Sequence, residues 1–168
     1  MSGQLEALLA ERVLVLDGAM GTMLQEQDLT ATDYGGVALE GCHENLVRTR
    51  PDVVLAIHRA YLQAGADIIK TNSFGATGLV LSDYGLGGNV HELNATAARL
   101  ARQAVDERSW GTPWFVAGAM GPTNKTLSIS PDVNDPAFRA VTFDQMKDAF
   151  AEQVRGLSVD SRTGIYSL

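Results

Sequence analysis

Three short apolar runs, each followed at once by polar and glycine residues, constrain the fold of this chain more than any other feature. Val13-Leu14-Val15-Leu16 runs into Asp17-Gly18, Ala66-Asp67-Ile68-Ile69 into Lys70-Thr71-Asn72, and Trp114-Phe115-Val116-Ala117-Gly118 into Gly121-Pro122-Thr123-Asn124. Short apolar runs rich in β-branched and aromatic residues, closed by turn residues, read as buried strands. Between them the pattern changes to a helical period. Val54, Ile57, Tyr61 and Ala64 recur at steps of 3, 4 and 3 after Pro51, with Gly65 just past the end, so a helix starts on that proline and stops before that glycine. Val90, Leu93, Ala97, Leu100 and Ala104 mark one face of a helix over about 89–107. Phe143, Met146, Phe150, Val154 and Leu157 mark another, opened by a capping box from Thr142 to Gln145. Residues 5–12 form a weaker helix, and residues 125–141, with Ser-Pro, Asn-Asp-Pro and no period, form a loop.

Apolar strands that alternate with helices define an α/β architecture with parallel strands covered by helices. In doubly wound sheets and (β/α)8 barrels alike, ligands bind beyond the C-terminal ends of the strands, which is where the polar residues gather here. A closed barrel typically takes ~250 residues, so a chain of this size holds only part of one. After the last helix another apolar strand is due. Residues 158–168 instead read Ser-Val-Asp-Ser-Arg-Thr-Gly-Ile-Tyr-Ser-Leu, a poor central parallel strand.

Charge narrows the function. With 13 Lys plus Arg against 20 Asp plus Glu among 168 residues, the net charge is −7, which argues against binding nucleic acid or an anionic membrane through clustered cations. The 45% hydrophobic content is that of a packed globular chain. Cys42 is the single cysteine and cannot form an internal disulfide. With no apolar stretch of ~18 residues and no basic-then-apolar start, a cytoplasmic protein is expected.

The segment Asp17-Gly18-Ala19-Met20-Gly21-Thr22 has two readings. Asp17 caps a helix and the glycines turn the chain, or Asp17 offers a carboxylate to a ligand's ammonium while Gly18 lets backbone approach closely. Its spacing matches neither the Walker nor the dinucleotide fingerprint, which removes nucleotide binding. Thr71-Asn72-Ser73 and the turn from Gly118 to Gly121 occupy corresponding places after the other two strands. Singly each reads as turn chemistry, and together on one edge they point to a pocket. His43 follows Cys42 in a loop, His58 and His91 fall in helices, and Cys42-His43 alone is too few ligands for zinc. Met20 and Met23 read as core packing, and Cys42 as a small, half-buried thiol.

Three segments together, residues 15–25, 64–74 and 116–124, resemble the homocysteine-binding domain of homocysteine S-methyltransferases. Residues 128–138, Ser-Ile-Ser-Pro-Asp-Val-Asn-Asp-Pro-Ala-Phe, are similar to the cobalamin-dependent methionine synthases in particular. The resemblance implies a (β/α)8 (TIM) barrel, here an incomplete one of about three to four βα units, with residues 1–157 as the N-terminal part of the domain and 158–168 as a divergent or frame-shifted tail. It implies L-homocysteine as substrate, with Asp17 at the amino group, Thr71, Asn72 and Ser73 around the amino-acid portion, and Gly18 and Gly121 where backbone comes close. Lys70 stands where relatives often carry Glu or Gln. In the family, zinc held by three cysteine thiolates activates the homocysteine sulfur for attack on the methyl donor. Those cysteines belong to the other half of the barrel, and Cys42 is not one of them, so no catalytic and no metal residue is expected in this chain. Cobalamin and methyltetrahydrofolate bind through further modules of the cobalamin-dependent enzymes. The expectation is therefore a methyltransferase half-domain that is inactive alone, or a non-catalytic half-barrel that self-associates through its open sheet edges.

Overall fold

The computed structural model describes residues 2–108, 113–159 and 163–167. A first helix, α1 (Ser2–Glu11), precedes an extended segment, and then come three short helices, α2 (Met20–Gln25), α3 (Ala31–Tyr34) and α4 (Leu46–Thr49). Next in the chain are α5 (Pro51–Gln63), β1 (Ile68–Lys70), α6 (Gly78–Leu81), α7 (Val90–Asp106), β2 (Phe115–Ala119), α8 (Phe143–Leu157) and β3 (Thr163–Ser167). The strands form one sheet in the order β1-β2-β3, parallel throughout, with Ile69 opposite Val116 and Lys70 opposite Ala117. Their polar C-terminal ends thus share one rim, as the alternation of elements requires. Among the described residues no helix is long and apolar enough to cross a membrane.

Residues 13–16 were expected to be a buried strand, and the structure corrects this. Leu16 makes a single parallel bridge to Ile68, while Val13, Val15 and Leu16 are 87%, 53% and 44% exposed. The segment lies at the edge of the sheet, where among the described residues only one flank has a strand partner. Asp67 holds it there: its Oδ2 accepts from the Val15 amide at 2.8 Å, and its carboxylate takes both ends of the Arg12 guanidinium at 2.6 and 2.9 Å. Such a bidentate pair fixes direction as well as distance. Asp17 N then donates to Ile68 O at 2.9 Å, so the chain reaches the rim beside β1.

The tail carries a strand as well. Residues 163–167 pair in parallel with β2, Val116 opposite Thr163 and Ala119 opposite Ser167, with an irregularity between Val116 and Ala117. Among the described residues β3 is an edge strand, and an edge tolerates the polar and glycine residues that a central strand does not. Residues 160–162 and 168 of the expected tail lie outside the described residues.

The face of α7 is the one its periodicity marks, with Val90, Leu93, Ala97, Leu100 and Ala104 all buried against a core that includes Val54, Ile57 and Leu62 of α5. For α8 the buried face is rotated from the expected one. Leu157 is buried as expected, together with Ala149, Gln153 and Gly156 from outside the stripe, whereas Met146, Phe150 and Val154 are half-buried and Phe143 is 69% exposed. Small residues explain the rotation, because they bring α8 closer to α7 than the phenylalanines could. A Cβ at Gly156 would lie 2.7 Å from Asn94 Cβ and 2.9 Å from the His91 carbonyl oxygen. Gly156→Ala is therefore expected to lower the urea midpoint, since overpacking of ~1–3 kcal/mol exceeds the gain of ~1 kcal/mol in helix propensity. A raised midpoint would contradict this packing.

Candidate functional site

The rim carries a cavity of about 400 Å³ lined by Asp17, Gly18, Met20, His43, Glu44, Lys70, Thr71, Asn72, Phe74 and Ala119, among others. Asp17 is its buried charge. At 7% exposure, its Oδ2 accepts from the Lys70 amide at 2.9 Å, so the carboxylate caps the outer side of β1. Its Oδ1 makes no hydrogen bond among the described residues, although Lys70 Nζ stands 3.7 Å away. Burial pushes the Asp17 carboxyl up to about 6, against the opposing pull of the Lys70 amide and ammonium. A buried carboxylate oxygen lacking a donor is costly unless something supplies one. The first of the two readings of Asp17, a helix cap, fails on this geometry: the residue before α2 is Ala19, and no side chain caps that helix.

Gly18 lies against Tyr61, where a Cβ would meet the phenol oxygen at 2.8 Å. That hydroxyl donates to Ala19 O at 3.2 Å and so ties the loop after residue 17 to α5. Thr71 and Ser73 commit their hydroxyls to the sheet. The Ala119 amide donates to Thr71 Oγ1 at 2.9 Å, Thr71 and Ser73 share a 2.6 Å contact, and Ser73 Oγ donates to Ala119 O at 2.8 Å. This closed triangle clamps the end of β1 to the end of β2. Thr71 lines the cavity beside Asp17, whereas Ser73 does not. Gly121 also stands outside the lining; its amide donates to Phe74 O at 2.8 Å, and a Cβ there would strike the Phe74 ring at 2.4 Å. It seats the aromatic ring at the mouth of the cavity.

The second wall was not expected. Asn72 Nδ2 donates to His43 O at 2.8 Å, and Glu44 Oε1 accepts from the Gly75 amide at 2.8 Å. These bonds draw residues 43 and 44, a surface loop in the sequence reading, onto the rim. Met20 both lines the cavity and packs against the core. Cys42, expected to be half-buried, is fully buried, and its thiol is pushed up to about 11, mainly by burial. A metal ligand must give up that proton easily. Among the described residues no three His, Cys, Asp or Glu groups could hold an ion, so these residues do not fit the zinc site that the family resemblance implies.

The C-terminal rim of a parallel α/β sheet is the usual place for a small-molecule site, and here it carries a cavity with a buried carboxylate. Residues 14–165 match the family model of the homocysteine S-methyltransferases, and the chain belongs to that family. The match includes part of β3, beyond residue 157. Similar solved structures include the homocysteine methyltransferase MmuM from Escherichia coli in its metallated form, 22% identical with a TM-score of 0.71, covering 97% of this chain and 56% of that one. The oxidized form of MmuM is 23% identical with a TM-score of 0.68, covering 97% and 55%. The fold is thus similar to that of MmuM, and this chain spans little more than half of its length.

Proposed function

We propose that this chain binds L-homocysteine on its sheet rim as part of a methyltransferase that forms methionine, and that alone it transfers no methyl group. The observation that carries the reading is Asp17, a residue of the cavity lining whose buried Oδ1 has no hydrogen-bond partner among the described residues. A ligand ammonium supplies the missing donors and the countercharge together. Gly18, Thr71 and Asn72 form the wall beside the amino-acid portion, while Ser73 and Gly121 act at one remove by holding Thr71 and Phe74. The likeness of residues 128–138 to the cobalamin-dependent enzymes favours methylcobalamin over other donors for the intact enzyme.

The sulfur is the part these residues leave unserved. Without an activating group a thiol near its ordinary pKa of ~8.5 is mostly protonated at neutral pH and attacks poorly. The ammonium contact contributes ~1.5–3 kcal/mol, which alone gives no better than millimolar affinity. Titration calorimetry is expected to show millimolar binding of L-homocysteine that Asp17→Asn abolishes, and an assay with methylcobalamin is expected to show no turnover. Micromolar binding untouched by the substitution would displace Asp17 as the anchor. Turnover above the protein-free rate would refute inactivity.

A further inference from the structure

We propose that Lys70 is the carboxylate-binding residue of this pocket and that it makes the pocket select α-amino acids over plain amines, an inference that rests on the amino-acid reading above. Lys70 sits at the end of β1 with its side chain 28% exposed, lining the same cavity as Asp17. Its backbone and its ammonium divide the aspartate between them. The amide holds Oδ2 at 2.9 Å, which fixes the carboxylate, while Nζ stands 3.7 Å from Oδ1, close enough for an ion pair and too far for a hydrogen bond. The lysine ammonium therefore holds, loosely, the position that a ligand ammonium takes.

The consequence differs between two kinds of ligand. A plain amine that takes Oδ1 displaces Lys70 and leaves its half-buried charge without a partner. An α-amino acid carries its carboxylate on the same carbon as its ammonium, so the ligand held by Asp17 presents a new partner beside the displaced Nζ. The amine incurs a penalty that the amino acid does not, which is specificity by an unpaired charge as much as by attraction. Glu44 does not compete for this role, since its Oε1 is engaged by the Gly75 amide and its charge repels a carboxylate.

Calorimetry with L-homocysteine and with its decarboxylated analogue, 3-aminopropane-1-thiol, tests this in the wild-type chain, Lys70→Gln and Lys70→Arg. The wild type is expected to prefer homocysteine by about tenfold or more, the scale of one charge-assisted contact. Lys70→Gln is expected to weaken homocysteine by that factor while leaving the amine unchanged or tighter, because Asp17 is no longer shared. Lys70→Arg is expected to restore the preference. Equal wild-type affinity for the two compounds, or a glutamine variant that weakens both alike, overturns the role of Lys70 and leaves homocysteine binding standing. Failure of both compounds to bind the wild type overturns the amino-acid reading and this inference with it. A glutamine variant that does not fold leaves the wild-type comparison to decide.

Discussion

Asp17→Asn is expected to make the chain more stable than the wild type at pH 7.5, by about 2 kcal/mol, even as it abolishes ligand binding. The folded-state carboxyl is raised from 3.8 to about 6 by burial, so folding in this range favours the protonated form. As pH rises from about 4 to 6 the unfolded chain loses this proton first, and stability falls across that window. Above 6 the penalty is constant, and below about 4 it vanishes. A shift of this size corresponds to roughly 3 kcal/mol, reduced here because the cavity admits solvent on one side. Asparagine cannot ionise and can still accept from the Lys70 amide. Urea denaturation of both forms at pH 4.5 and 7.5 checks the claim: the gap should be small at the lower pH and full at the higher. A wild type more stable than the variant at pH 7.5, or a gap independent of pH, would count against an ionised, undersupplied Asp17. Stability gained by removing a charge is the signature of a group kept for what it binds.

Whether a feature of this chain is legible in its sequence depends on whether the interactions that set it are local. The stripe of α7 and the proline start of α5 are set within one element, and both lie where their periodicity places them. So does the Thr142 capping box, with Gln145 N donating to Thr142 Oγ1 and Thr142 N to Gln145 Oε1. The misplaced features depend on neighbours distant in sequence. Apolar content predicts burial of residues 13–16 only if something covers that edge, and the α8 stripe predicts its buried face only if no small-residue face packs closer. Glycine at 156 beside Ala149 is the sign of the closer face, and the phenylalanines mask it because they dominate the apolar pattern.

The rim is legible for the same reason and to the same extent. Asp17 and Thr71 are marked in the sequence by the apolar runs they close and line one cavity, although Asp67, Ile68 and Lys70 hold Asp17 and the run before it from about fifty residues away. His43 and Glu44 carry no such mark, since Asn72 and Gly75 hold them from about thirty residues away. No local pattern encodes such a bond. The hydroxyls of Thr71 and Ser73 show the converse, since their residue types suggest ligand contacts while their positions commit them to Ala119.

His58 gives the second large effect, in the opposite direction with pH. It is fully buried in α5, and among the described residues neither ring nitrogen has a hydrogen-bond partner. Burial alone pushes its pKa from 6.5 down to about 4, so the folded state holds the neutral ring. The sign is that of a depressed base: its contribution is intact above pH 6.5 and is lost as pH falls from 6.5 to 4, when the unfolded chain takes up the proton first. The loss amounts to about 3 kcal/mol at its full extent. Asp17 gains stability over nearly the same window, so the wild type should change little between pH 7.5 and 4.5 while each single variant exposes the other group. His58→Leu removes two unsatisfied polar atoms and is expected to be more stable at pH 7.5 by ~1–3 kcal/mol. It should then become more stable still on acidification, because only the Asp17 contribution remains. Carboxylates held low, such as Asp33 and Glu107 at about 2, lose their contribution from their unfolded values of 3.8 and 4.5 downwards, so they enter only at the acid edge of this range. Urea denaturation of wild type, His58→Leu and Asp17→Asn at pH 7.5, 6 and 4.5 separates the two contributions. A leucine variant whose stability stays as flat with pH as that of the wild type, or that is less stable at pH 7.5, would count against a neutral, unpartnered His58 ring in the folded chain.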